Sequence, residues 1–160
     1  MNIPEFFVKR WESEQPAFLK VLQAMPADQL QYTPHERSTK AGDLAWQLAL
    51  EQRGLAEIVQ KGEMDWPTDK RPESLAEIIA AWESATSDLR TALNGFDEAK
   101  ADAPAVMKMG GESAWTDTVG GMLWGFLLDM IHHRGQLSTY LRPMGGKVPA
   151  IYGPSADSQS

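Results

Sequence analysis

"LLDMIHHRGQLSTYLRPMGG", residues Leu127–Gly146, is the stretch whose reading decides the fold. Apolar residues in it and just before it recur at spacings of three and four, which predicts an amphipathic helix rather than a strand. Pro143 and the pair Gly145-Gly146 close that helix. Two adjacent histidines interrupt the pattern. At about 100° per residue, His133 shares an arc of roughly 60° to either side with Val119, Met122, Phe126, Met130, Leu137 and Tyr140, and His132 falls about 100° away. His133 is therefore expected inside the apolar face and His132 at its edge or outside it.

Asp129, four residues before His133, lies about 40° from it on the same face. A carboxylate in that arc needs a cation, a donor network or a metal, because an unpaired buried charge is strongly unfavourable. An i, i+4 acid–histidine pair has the geometry by which helices ligate metals. It equally describes a solvated ion pair or a hydrogen-bonded core histidine, and spacing alone leaves these readings open.

Working outward, the helix that carries this stretch runs from about Thr116 to Arg142. Residues 94–114, rich in Gly, Ala and Pro, read as a long crossover loop with "VMKM" (106–109) as a short extended piece. A third helix is marked by Pro72, by Ser74-x-x-Glu77 as a capping box, and by Leu75, Ile78, Ile79, Trp82, Leu89 and Leu93 on one stripe; Asn94-Gly95 stops it. "KGEMDWPTDKRP" (61–72) reads as a connection. The second helix, capped by Ser38 or Thr39, runs to about Gln60, and the first spans about Ile3 to Met25 with Pro16 expected to kink or split it. Four amphipathic helices with one long connection predict an all-α four-helix bundle, a single domain over residues 1–155, with the small polar tail "ADSQS" (156–160) disordered.

In the second helix, Leu44, Leu48, Leu55, Ile58 and Val59 form the apolar stripe. Glu51 falls within it and Gln47 lies at its edge, about 40° away. Two helices thus each offer a polar pair one turn apart, Gln47 with Glu51 and Asp129 with His133, as an interior site between bundle helices would. Glu51 could instead reach the bundle end and solvate itself. Trp46 and Leu50 sit on the opposite flank; if exposed they would offer a partner surface for a homodimer. Gly120, Gly121, Gly125 and Gly135 are each unfavourable in a helix by about 1 kcal/mol relative to Ala, so close approach of another helix is their expected use.

Composition narrows the chemistry. The 160 residues contain no cysteine, which excludes disulfides, thiolate zinc sites and a thiol nucleophile; any metal must be held by nitrogen and oxygen. A formal charge of −7, with no Lys/Arg stripe interleaved with aromatics, opposes nucleic-acid binding. The N-terminal "MNIPEFFVKRW" lacks an apolar run with a small-residue cleavage site, and no segment is long and apolar enough to span a bilayer, so a soluble cytoplasmic protein is expected.

The run His133-Arg134-Gly135-Gln136-Leu137, followed by Tyr140-Leu141-Arg142, Gly145, Val148-Pro149 and Tyr152-Gly153, resembles the fourth-helix signature of the DinB-like superfamily. "GDLAWQLALEQ" (42–52) and "MPADQLQYTP" (25–34) resemble the matching segments upstream, so the likeness spans most of the chain. It implies a four-helix bundle, commonly a homodimer, in which many members hold a divalent metal through one histidine on helix two and an H-x-x-x-H pair on helix four. On that pattern His133 matches the second histidine of the pair, Asp129 stands at the first, Gln47 stands at the helix-two position, and His132 matches a histidine outside the ligand set.

The resemblance thus implies a metal set of Gln47, Asp129 and His133, to which Glu51 could add a carboxylate, for Zn, Ni or Mn. Characterised relatives include hydrolases and thiol-dependent transferases, so the implied activity is metal-dependent hydrolysis of a small molecule or its transfer with a thiol cosubstrate, with Asp129 and His133 as the catalytic candidates. Without metal, Asp129 could orient His133 as a general base. The alternative is a non-enzymatic dimeric bundle whose polar cluster is a hydrogen-bonded network or a small-molecule pocket.

Overall fold

The computed structural model describes residues 2–159. In chain order the elements are α1 (Ile3–Gln23), α2 (Ala41–Lys61), β1 (Glu63–Asp65), α3 (Leu75–Ala92), α4 (Glu98–Ala101), β2 (Pro104–Met109), β3 (Glu112–Thr118) and α5 (Val119–Leu141). The four long helices lie at the predicted places. Capping boxes at Asn2/Glu5 and Ser74/Glu77 start α1 and α3, and the Thr118 hydroxyl accepts from the Gly121 N–H at 3.0 Å to start α5.

The start of α2 corrects the expectation of a Ser38 or Thr39 cap. Lys40 occupies the cap and bonds nothing with its side chain, while the first N–H groups of the helix, at Ala41 and Gly42, donate to the loop carbonyls of Tyr32 and Leu30, each at 2.9 Å. The loop itself satisfies the orphan donors. Pro16 neither splits nor ends α1; the helix runs through it, with the ring on the exposed side.

A single hydrophobic core joins the helices. Trp11, Phe18 and Leu22 of α1, Leu44, Leu48, Leu55 and Ile58 of α2, Ile78 and Leu89 of α3, and Met122, Leu127, Met130, Leu137 and Leu141 of α5 are buried in it. Most polar groups inside are paired, as burial demands; Glu51 Oε2 and the Trp82 indole N–H are not. Trp11 donates through Nε1 to Gln52 Oε1 at 3.1 Å; the Gln52 amide donates to Gln15 Oε1 at 2.7 Å and to Thr86 Oγ1 at 3.3 Å, tying α1, α2 and α3 together.

The chain is not all-α. The segments read as a connection and a crossover loop contain α4 and a three-stranded sheet in the order β1-β2-β3, parallel between β1 and β2 and antiparallel between β2 and β3. "VMKM" lies within β2, as expected of an extended piece. The strands escape notice in the sequence because β1 is only three residues long and nearly every residue of β3 faces solvent or its margin, so neither shows the apolar alternation of a half-buried strand.

Glycines seat this sheet on the helices. A Cβ at Gly54 of α2 would stand 2.5 Å from the Met64 methyl, and one at Gly125 of α5 would stand 2.5 Å from Trp115 Cη2. Gly120 meets the Ala101 carbonyl of α4, and nothing approaches Gly135 within 4 Å. Gly120 and Gly125 of α5 therefore accommodate the crossover segment, not a neighbouring long helix as predicted, and Gly135 accommodates neither.

Trp46 and Leu50 also differ from expectation as a partner surface. Leu50 is buried, and the Trp46 indole donates to the Asp69 carbonyl at 3.2 Å, so this flank is covered from within the chain. In the tail expected to be disordered, Asp157 accepts from Arg142 at 2.9 Å and from the Val148 N–H at 3.0 Å; Ser160 lies outside the described residues. No described helix is long and apolar enough to cross a membrane.

Candidate functional site

The predicted polar pairs of α2 and α5 meet. One ligand atom each from Glu51, Asp129 and His133 lie within 4.8 Å of one another. His133 Nδ1 is 3.2 Å from Glu51 Oε1 and 3.7 Å from Asp129 Oδ2. Glu51, not Asp129, is therefore the group within hydrogen-bonding reach of the imidazole. Gln47 Nε2 donates to Glu51 Oε1 at 2.9 Å and lies 3.3 and 3.4 Å from the two ring nitrogens of His133, against the ring and not in line with either lone pair.

Burial grades the three ligand groups. The Glu51 side chain is fully buried, that of His133 is 14% exposed and that of Asp129 is 51% exposed. The helical wheel explains the last. The buried side of α5 is centred beyond His133 toward Leu123, Leu127 and Leu141, which lie about 80° to 120° from it, whereas Asp129 lies about 40° away in the opposite direction. Asp129 is thus on the solvent flank, not within the core-facing arc, and His132, further round on that flank, is exposed as predicted.

Glu51 carries the energetic anomaly. Its Oε2 is buried without a hydrogen-bond partner. Burial pushes its carboxyl above the usual carboxylate range, opposed by the hydrogen bond from His133. The Glu51 hydrogen bond in turn raises the His133 imidazole, against the effect of burial. A proton shared between the two groups is the arrangement that the surroundings favour, and a cation could replace it.

A groove of about 470 Å³ opens beside the cluster, with Trp66, Met107, Met109, Trp115 and Phe126 in its wall and Asp129 common to both. A groove of about 450 Å³ between α1 and α3, lined by Glu12, Gln15, Trp82 and Arg90 among others, shares no residue with the cluster. On its rim Arg90 and Glu12 are paired, Arg90 Nε donating to Glu12 at 2.7 Å.

Reading the sequence missed a second buried polar group on α5. Arg134 is almost wholly buried and donates to Glu14 of α1 at 2.8 Å and to the Tyr152 hydroxyl at 2.5 Å; that hydroxyl donates to Glu14 at 2.7 Å. The guanidinium also stands 4.6 Å from the Phe18 ring centroid. Its signal was available: on the wheel Arg134 falls between Leu127 and Leu141, about 20° from each. This triad is separate from the Glu51 cluster and ties α1, α5 and the C-terminal segment together.

The DinB family model matches residues 2–159 of this chain. Solved structures with the same fold include a DinB-like protein from Bacillus cereus, 18% identical, with a TM-score of 0.75 over 92% of this chain and 97% of that one. A DinB-like protein from Bacillus subtilis is 19% identical, with a TM-score of 0.69 over 87% and 91% of the respective chains. No curated protein matches the chain.

Proposed function

The chain belongs to the DinB family, and from that premise we propose that Glu51, Asp129 and His133 hold a divalent cation between α2 and α5, at which a small molecule is hydrolysed or joined to a thiol. The observation that carries this reading is the buried Glu51 carboxylate, whose Oε2 has no partner while its Oε1 faces His133. Two carboxylates and an imidazole fit a divalent ion of intermediate hardness, and the oxygen-rich set favours Mn or Zn over softer ions. Gln47, beside the cluster, is the proposed fourth contact, its amide turned so that the carbonyl oxygen faces the ion. Bound there, such an ion would polarise a carbonyl or lower the pKa of a water.

The chain's own groups supply the rest. With the ion bound, Glu51 and His133 would serve as its ligands; in the metal-free cluster Glu51 instead orients His133, which is then placed to accept a proton from a nucleophile and return it to a leaving group. Asp129, half exposed, is the group that a substrate arriving from solvent meets first. No cysteine is present to serve as a nucleophile, and the attacking group in this reading is a water or a thiol cosubstrate. The association expected with this reading is a homodimer, to be checked by light scattering.

Elemental analysis of chelator-free protein after loading with manganese or zinc tests the assignment. About one equivalent per chain is expected, falling to background in Glu51→Gln and His133→Ala while the helical circular-dichroism spectrum persists. Unchanged metal content in both variants would place the ion elsewhere. Folded wild-type protein that takes up no metal would favour the second reading, a hydrogen-bonded polar cluster in a non-enzymatic bundle.

A further inference from the structure

The groove beside the cluster is built from rings. Trp66 is parallel to Phe126 within 7° at a centroid separation of 6.3 Å, and Trp115 lies 5.6 Å from the same Phe126 ring. Both tryptophans are held in place. The Trp66 backbone N–H donates to the Lys108 carbonyl at 2.8 Å, and Trp115 rests on α5 where only a glycine, Gly125, leaves room for its edge. Met107 and Met109 complete the wall; Met109 is 57% exposed despite its apolar side chain. Thioethers beside aromatic rings adapt their shape to a guest and contact ring edges favourably.

Charge limits what can enter. Among the described residues of the lining, Asp129 is the only charged one, and no Lys or Arg lines the groove. In the metal-free groove an anionic body would meet a carboxylate and a chain of net charge −7 with nothing to balance it. A volume of about 470 Å³ with a mostly apolar wall and one polar edge is the shape of a small-molecule site. Its polar edge is Asp129, which also belongs to the Glu51–His133 cluster.

We infer that the groove takes the ring of the substrate, a flat aromatic or heteroaromatic compound without an anionic group, whose electron-pair donor projects past Asp129 toward Glu51 and His133. The assignment of that donor rests on the cluster's being the reactive centre; binding of the ring does not depend on a metal. Stacking supplies the affinity, and the position of Asp129 supplies the discrimination against acids.

The test uses metal-free full-length protein and three probes: naphthamide, naphthoate and cyclohexanecarboxamide. Naphthamide is expected to saturate one site and shift the indole N–H resonances of Trp66 and Trp115, with affinity falling about ten-fold or more in Trp66→Ala and Trp115→Ala. Cyclohexanecarboxamide, which cannot stack, is expected to bind more weakly. Naphthoate is expected to bind less well than naphthamide, and Asp129→Asn to narrow that gap.

Because the tryptophan variants can disturb the sheet, the shift map of the wild type and the ratio of naphthoate to naphthamide affinity in Asp129→Asn decide independently. Shifts confined to Trp82 or Trp124, equal binding of the saturated probe, tighter binding of naphthoate, or no binding of naphthamide would each overturn the inference. Parallel manganese and zinc titrations separate the two proposals. Ring binding without uptake of either ion supports the groove and removes the metal reading; metal uptake without ring binding does the reverse.

Discussion

At the scale of single residues, Glu51 and His133 are coupled by one short contact, and both hold protons more firmly folded than unfolded. The sign of the pH dependence follows. The raised His133 contributes stability that is fully present below its unfolded value, about 6.5, and is lost as pH rises through the higher folded value. The raised Glu51 acts in the same direction, since each increase in pH above about 4.3 moves toward a buried charge that folding disfavours. Metal-free protein should therefore lose stability from this pair between about pH 5 and pH 8, and Glu51→Gln should flatten that slope in denaturant melts. Metal binding must displace the same protons, so the stabilisation added by manganese should grow over the same interval. A wild-type slope identical to that of Glu51→Gln would show that the pair is not coupled in this way.

At the scale of elements, two joints bear testable loads. The Arg134–Glu14 ion pair bridges α1 and α5 in the interior, and breaking a buried pair by removing one partner costs about 3–5 kcal/mol. Arg134→Ala should lower unfolding free energy by about that much without changing metal content, whereas Tyr152→Phe should cost about 1 kcal/mol. A loss under about 1 kcal/mol for Arg134→Ala would mean that water already satisfies Glu14. The second joint is Gly125. Its Ala variant must displace Trp115, at an expected cost of about 1–3 kcal/mol, visible in thermal melts and as a shifted Trp115 resonance. What the sequence reveals at this scale follows from periodicity: the apolar stripes of α2 and α5, the capping box of α3 and the outward position of His132 are legible because helical side chains repeat predictably. The sheet is not, since β1 is three residues long and β3 shows no alternation of buried and exposed positions.

At the scale of the molecule, fold and site were legible to different depths. The four long helices could be placed from the chain alone; that Gln47 and Glu51 meet Asp129 and His133 is one of two readings it leaves open, the other being that Glu51 solvates itself at the bundle end, and the packing of α2 on α5 decides for the first. The rank of the ligands is not legible in it. A wheel centred on His133 treats Asp129 as interior, yet the packing partners of α5 rotate the buried face toward Leu127 and Arg134, leaving Asp129 half in solvent and Glu51 wholly enclosed. Likewise, only the seating of β3 on α5 through Gly125 builds the aromatic groove that adjoins the cluster. The central proposal is a cation held where one oxygen of a fully buried carboxylate, Glu51 Oε2, has no partner. Crystals of chelator-free protein soaked in manganese, measured at the manganese absorption edge, test it most directly. The account predicts one strong anomalous peak per chain in contact with Glu51, Asp129 and His133. No peak at that position, or peaks confined to surface carboxylates, would contradict it.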